Sequence, residues 1–224
     1  MTVAIAYVFP NIHASRYNPA AQRFASTYQQ FPPGGCGNDL YVIANGPPLS
    51  LSQKEIFNPM RAQHFNHNNF GKDIGAFQMI ASQVKCDLML FFGAHIYFWR
   101  AGWLDRILDT YLSHGPGLYG TWAFHQPRPH LRTTAFWCHP TLLAEYPHNV
   151  SQNGGGGQRY AMEHGPQCHT SWVRSKGLTP WIVGWDCIWP VTQCDQMPGG
   201  FHNGDQYNIL VGDRLCCPPY YPHP

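Results

Sequence analysis

The sequence predicts an α/β fold: a mostly parallel central sheet flanked by helices, followed by a loop-rich second half. Three observations carry this. Short apolar runs, Val3-Ala4-Ile5-Ala6-Tyr7-Val8-Phe9 and Leu88-Met89-Leu90-Phe91-Phe92, have the length and composition of buried strands. Segments with helix start and stop signals lie between and after them, giving the order β-α-β-(α)-β-α that places strands side by side in parallel. The chain has 224 residues, enough for one domain with a full core.

In order, residues 2–9 read as the first strand. Residues 18–30 read as a helix with Asn18 as N-cap and Pro19 in its first turn. A Pro-Gly loop, 32–37, leads to a strand over 40–44 that stops at Asn45-Gly46, a turn signal. Residues 73–84 read as a helix opening at Asp73, 88–92 as a strand, and 101–113 as a helix ending near Gly115. Beyond it, strands are expected near 117–124, 132–138 and 180–185, and a helix over 167–176 closing at Lys176-Gly177. The run Gly154-Gly155-Gly156-Gly157 reads as a lid or linker. The whole chain, 1–224, is taken as one domain with halves at 1–115 and 116–224.

Composition narrows the function. Charged residues make up 12%, about half of the roughly 25% usual in soluble domains, while aromatics reach 15%. A formal net charge of +2 gives no strong footprint for nucleic acid or an acidic membrane. No run approaches the roughly 20 apolar residues of a membrane span, so none is expected. The N-terminal run lacks a basic leader and stops at Pro10, unlike a secretory signal. The eight cysteines include no Cys-x-x-Cys pair and read as mostly reduced thiols of a cytoplasmic protein, with disulfide pairing of the even count as the alternative. Gly-x-Gly-x-x-Gly after the first strand, a Gly-Lys-Ser/Thr phosphate loop and His-Glu-x-x-His are all absent from the sequence.

The passage Asn69-Phe70-Gly71-Lys72-Asp73-Ile74-Gly75-Ala76, followed by a helix and Cys86-Asp87-Leu88-Met89-Leu90-Phe91-Phe92, resembles a passage of GT-A glycosyltransferases, in particular rhamnan-synthesis and phage-type enzymes. Arg159-Tyr160-Ala161-Met162-Glu163-His164-Gly165-Pro166 is similar to the passage before that family's late helix. Phe201-His202-Asn203-Gly204-Asp205 is similar to its C-terminal segment that folds back to the site. The resemblance implies a single GT-A-like, Rossmann-type domain that binds a nucleotide-sugar donor, such as a UDP-sugar, in its first half. The acceptor side then lies in the second half. It also implies a divalent cation, Mn²⁺ or Mg²⁺. Where the family ends its central strand with Asp-x-Asp, however, this chain reads Gly93-Ala94-His95.

The candidate site residues follow. The resemblance places Asn69 and Asp73 at the donor; Asp73 equally suits the start of the following helix, where its charge favours the dipole. His95, just beyond the strand expected over 88–92, can ligate a metal or bond phosphate. His202 and Asp205 are the other candidate metal ligands, and a solvent-exposed turn is their alternative. Arg128 and Arg132 offer planar forks for phosphate. Glu163 is the candidate general base of an inverting transfer, expected at the start of a late helix, with Asp186 as the second candidate. The implied acceptor is a glycan or a hydroxymethylated pyrimidine base of phage-type DNA. The competing reading is a non-catalytic nucleotide-sugar or carbohydrate-binding module that lost the Asp-x-Asp site.

Overall fold

The computed structural model describes residues 1–150, 156–200 and 205–214. Strand β1 (Val3–Phe9) is buried throughout and feeds two cores in turn. Val3, Ile5, Tyr7 and Phe9 face one core; Ala4, Ala6 and Val8 face the other. This two-residue period, apolar on both sides, is what a central strand between helical layers requires. β2 (Asp39–Asn45) and β4 (Leu88–Phe92) divide their side chains in the same way.

The sheet is eight-stranded among the described residues, in the order β10-β9-β5-β8-β4-β1-β2-β3. The remaining strands are β3 (Gln63–His67), β5 (Leu118–Gly120), β8 (Ala135–Cys138), β9 (Pro180–Val183) and β10 (Ile188–Pro190). β1 pairs in parallel with β2 and β4, β2 with β3, and β5 with β9. β8 is inserted antiparallel between β4 and β5. Short strands β6 (Ala123–Phe124) and β7 (His130–Leu131) form a separate ribbon.

Helices cover both faces. α1 (Ala14–Gln30), α2 (Leu51–Phe57) and α4 (Trp103–His114) supply Phe24, Phe57, Trp103 and Ile107 to one core. α3 (Lys72–Gln83), α5 (Pro140–Ala144), α6 (Gly156–His164) and α7 (His169–Ser175) supply Phe77, Leu143, Met162 and Val173 to the other.

Several boundaries differ from expectation. α1 begins at Ala14, so Pro19 lies inside it and Asn18 is not its cap. A 3₁₀ turn over Asn11–His13 leads directly into the helix. Pro19 forfeits one helical bond, and burial of Ala20, Ala21 and Phe24 on the same helix outweighs that loss. The extra turn carries Arg16 and Tyr17. The strand expected near 117–124 is divided between β5 and β6, and that expected over 132–138 starts only at Ala135. Gly156 and Gly157 open α6 rather than continuing a linker, while Gly154 and Gly155 lie outside the described residues. α2, β3, β7, α5, α6 and β10 have no counterpart among the sequence-based expectations. α2 was nonetheless legible: Ser50 and Gln53 form a full capping box, with Gln53 N donating to Ser50 Oγ at 3.3 Å and Ser50 N to Gln53 Oε1 at 2.8 Å.

Candidate functional site

The chain leaves β1 toward β2 and β3 on one side, then returns to lay β4 on the other side of β1. Between β1 and β4 the order therefore switches direction, and a crevice opens beyond their carboxyl ends. A cavity of ≈ 430 Å³ occupies that place. Pro10 and His13 border it after β1, Asn45 at the end of β2, Asn69, Lys72 and Asp73 around the start of α3, and Gly93, Ala94 and His95 after β4. Arg132 and Thr134 approach from the β7–β8 connection, Arg159 from α6, and Asp213 and Arg214 from the C-terminal segment.

The floor is held by the sheet itself. Tyr7 Oη donates to Ala94 O at 2.9 Å, Gly93 N to Thr134 O at 2.8 Å, and Arg23 Nη2 to His95 O at 3.3 Å. Arg23 also lies 4.3 Å from the centre of the Tyr97 ring. The His95 ring stands 5.2 Å from that of Tyr17. Burial, together with the nearby Arg214, Arg23 and Arg16, holds the His95 imidazole below its ordinary pKa, with Asp213 opposing. At neutral pH His95 is thus an uncharged hydrogen-bonding group.

The loop into α3 is tightly folded. Asn69 (φ 67°), Gly71 (φ 70°) and Lys72 (φ 54°) all take left-handed backbone conformations. At Gly71 a side chain would run into the Val150 carbonyl, so the close approach of the two segments requires glycine. Asn69 and Lys72 carry side chains in a conformation that costs energy for non-glycine residues, and both border the cleft. Gly71, not Asp73, is the N-cap of α3. Asp73 sits in the first turn, and its carboxylate is gripped by Arg159: Nε to Oδ1 at 2.8 Å and Nη2 to Oδ2 at 3.0 Å. Burial pushes the Asp73 carboxyl above its ordinary pKa, and the Arg159 guanidinium pulls it back. Its visible work is to aim Arg159.

Charge is the dominant feature. Among the described residues Arg16, Lys72, Arg132, Arg159 and Arg214 line the cleft, against Asp73 and Asp213. Arg132 and Arg159 also border a second, adjoining cavity of ≈ 320 Å³ with Phe124, Tyr160, Glu163 and His164. Glu163 therefore stands beside the cationic cleft. It lies in the last turn of α6, not at the start of a late helix as expected, because the Arg159–His164 passage is itself helical. Thr133 Oγ1 donates to Glu163 Oε2 at 2.8 Å, and Arg132 Nε lies 3.7 Å from Oε1.

Of the residues singled out from the sequence, Asn69, Asp73, His95 and Arg132 meet at one cleft and Glu163 adjoins it. Arg128 does not line the cleft; its Nη1 reaches Pro166 O at 3.5 Å. Asp186 is exposed in the β9–β10 turn, three strands along the sheet from β4, or about 14 Å at ordinary strand spacing. Asp205 is exposed and does not line the cleft, and His202 lies outside the described residues. Asp213 and Arg214, beyond that passage, line the cleft instead. Sequence reading missed Arg16, Lys72, Arg159 and Arg214. Arg16 was hidden by placing the helix start at residue 18; Arg159 stood in a quoted passage whose helical geometry was not foreseen. The six described cysteines are free thiols, and Trp122 and Trp137 are fully buried in the core.

Among the described residues no set of three His, Cys, Asp or Glu ligand atoms includes His95. The described cleft offers His95 with Asp213 beside it, while Asp73 is already held by Arg159, which is fewer than the three side-chain ligands of a preformed metal site.

A doubly covered, mainly parallel sheet with a crevice at its switch point is a fold this chain shares with solved glycosyltransferase structures. Solved structures with this likeness include Staphylococcus aureus TarS, with a TM-score of 0.50 at 10% identity over 71% of this chain and 32% of that one. S. aureus TarS 1–349 in complex with UDP matches with a TM-score of 0.50 at 9% identity, covering 71% and 53%. The mannosyltransferase PcManGT from Pyrobaculum calidifontis, in complex with GDP-Man and Mn²⁺, matches with 0.50 at 7%, covering 65% and 46%. The chain thus spans about a third to a half of the length of these structures. No protein-family model and no curated protein sequence matches it. No helix among the described residues is long and apolar enough to cross a membrane.

Proposed function

We propose that this chain transfers a sugar from a nucleotide-sugar donor to an acceptor hydroxyl, and that side-chain cations, not a metal on an Asp-x-Asp motif, neutralise the donor diphosphate. The observation that carries the reading is the cluster of Arg16, Lys72, Arg132, Arg159 and Arg214 around a cleft at the switch point of the sheet. Guanidinium groups present planar donor forks that match phosphate oxygens, and in a partly enclosed site such contacts gain strength. His95 adds a neutral hydrogen-bonding group at the end of β4.

In this reading the acceptor oxygen attacks the anomeric carbon, and the bond from that carbon to the β-phosphate oxygen breaks. The departing nucleoside diphosphate collects negative charge against the arginines. Glu163 takes the acceptor proton. Its Oε2 is oriented by Thr133, and its position beside Arg132 and Arg159 puts it at the junction of the two cavities. The arrangement suits inversion at the anomeric carbon. Asp73 acts by fixing Arg159. The acceptor enters by the cavity of Phe124, Tyr160 and His164, whose aromatic walls suit a glycan better than a phosphate backbone.

The UDP and GDP-Man complexes of the similar structures choose the donors to try first. A thermal-shift screen with UDP- and GDP-sugars tests the reading, because a ligand bound only by the folded chain raises its melting temperature. One nucleotide class should stabilise the protein and release its diphosphate on turnover. Stabilisation without any release would instead mark a binding module, and absence of stabilisation by every donor would refute the reading.

A further inference from the structure

Beside the donor cleft, His130 from β7 meets Glu163 and His164 from the end of α6. One ligand atom from each of the three lies within 4.8 Å of the others. We propose that His130 Nε2, Glu163 Oε1 and His164 Nε2 form a binding site for a divalent transition metal of the zinc class.

His130 carries the argument. Its side chain is wholly buried, and its Nδ1 lies 2.7 Å from the Arg128 carbonyl oxygen. A carbonyl only accepts, so Nδ1 bears the proton and Nε2 presents a lone pair. That Nε2 is buried and has no hydrogen-bond partner among the described residues. A histidine whose far nitrogen is pinned to a carbonyl while the near one is bare has the arrangement of a metal-ligating imidazole.

The other two ligands are similarly prepared. Thr133 holds Glu163 Oε2 at 2.8 Å, leaving Oε1 directed elsewhere. His164 Nε2 lies 3.7 Å from that Oε1. Tetrahedral zinc with bonds of about 2.0–2.1 Å sets its ligand atoms roughly 3.4 Å apart, so a small side-chain rotation closes the set. The His130 and His164 rings already stand edge to face, 4.6 Å apart. Two histidines and one glutamate satisfy three positions. The fourth opens onto the ≈ 320 Å³ cavity, which supplies an entry path. Arg132 Nε lies 3.7 Å from Oε1, so an ion there competes with this guanidinium for the carboxylate.

The consequence for activity rests on the reading of Glu163 as the base: a metal on Oε1 takes the lone pair that would receive the acceptor proton, so bound metal slows transfer. The site itself does not depend on that reading.

The test is Co²⁺ binding to the metal-stripped full chain, followed by visible absorption and by calorimetry. Wild type should take up one Co²⁺ with the strong visible bands of a four-coordinate site and no thiolate charge-transfer band. His164→Ala, at a partly exposed position, and the isosteric Glu163→Gln should each weaken binding by at least about tenfold, and Thr133→Ala by about tenfold through loss of carboxylate orientation. Circular dichroism confirms that each variant is folded. No Co²⁺ uptake, uptake by cysteine, or equal affinity in His164→Ala and Glu163→Gln would overturn the site. Metal that binds as described but leaves transfer undiminished would instead overturn the role of Glu163.

Discussion

Replacing Glu163 by Gln removes a proton acceptor while leaving nearly everything else in place. Glutamine has the same length, and its amide oxygen can still accept from Thr133 Oγ1, which donates to Oε2 at 2.8 Å in the native chain. The side chain is only 11% exposed, so a substitution of different shape would disturb packing, and glutamine avoids that. A positioned general base contributes about 10²–10⁴ in rate, which corresponds to roughly 3–5 kcal/mol of barrier. Donor affinity should not fall. Glu163 does not line the donor cleft, and deleting its charge beside Arg132 leaves that guanidinium more available to phosphate. The assay is nucleoside diphosphate release at saturating donor, in the presence of chelator, with calorimetric binding of the nucleoside diphosphate measured in parallel. The expected result is a fall of about 10²–10⁴ in turnover with donor affinity unchanged or tighter. Turnover within about tenfold of wild type, or a loss expressed in donor binding, would refute the assignment of the base.

Three further outcomes follow from the same structure. Arg16→Ala and Arg214→Ala should each weaken nucleoside diphosphate binding by about 10–100-fold, the worth of a charge-assisted contact, as read by calorimetry. His169 is caged by Phe136, Tyr146 and Trp172 and donates through Nε2 to Leu142 O at 3.2 Å; burial lowers its pKa from 6.5 to about 4. The unfolded chain therefore binds this proton more readily. Stability is full above pH 6.5 and falls by about 3 kcal/mol as pH drops toward 4; urea melts across that range should show a shallower fall for His169→Phe. Phe24→Ala empties a fully buried site that stacks on Tyr7 at 4.1 Å, and should cost about 3–5 kcal/mol in chemical denaturation.

How legible this molecule was depends on how local the signal is. β1 and β4 were readable because a strand buried on both faces is apolar at every position, and α4 because Gly115 ends it in a left-handed conformation. The start of α1 was misread because Pro19 imitates a first-turn proline, and only the burial of Ala20, Ala21 and Phe24 shows that the helix continues through it. β8 was blurred because it is four residues long and antiparallel between parallel neighbours, a placement decided by tertiary pairing. The site divides in the same way. Asp73 and His95 stand beside recognisable turns at element ends. The Asp73–Arg159 fork and the grouping of His130 with Glu163 and His164 join residues from distant elements, and no spacing rule signals either.

The most direct test of the account is calorimetric binding of UDP and GDP to the full chain, in EDTA and again with Mn²⁺. If side-chain cations hold the diphosphate, one nucleotide binds in EDTA, its affinity changes by no more than about threefold with Mn²⁺, and binding weakens as salt is raised. Binding that appears only with Mn²⁺, or no binding of either nucleotide, would contradict it.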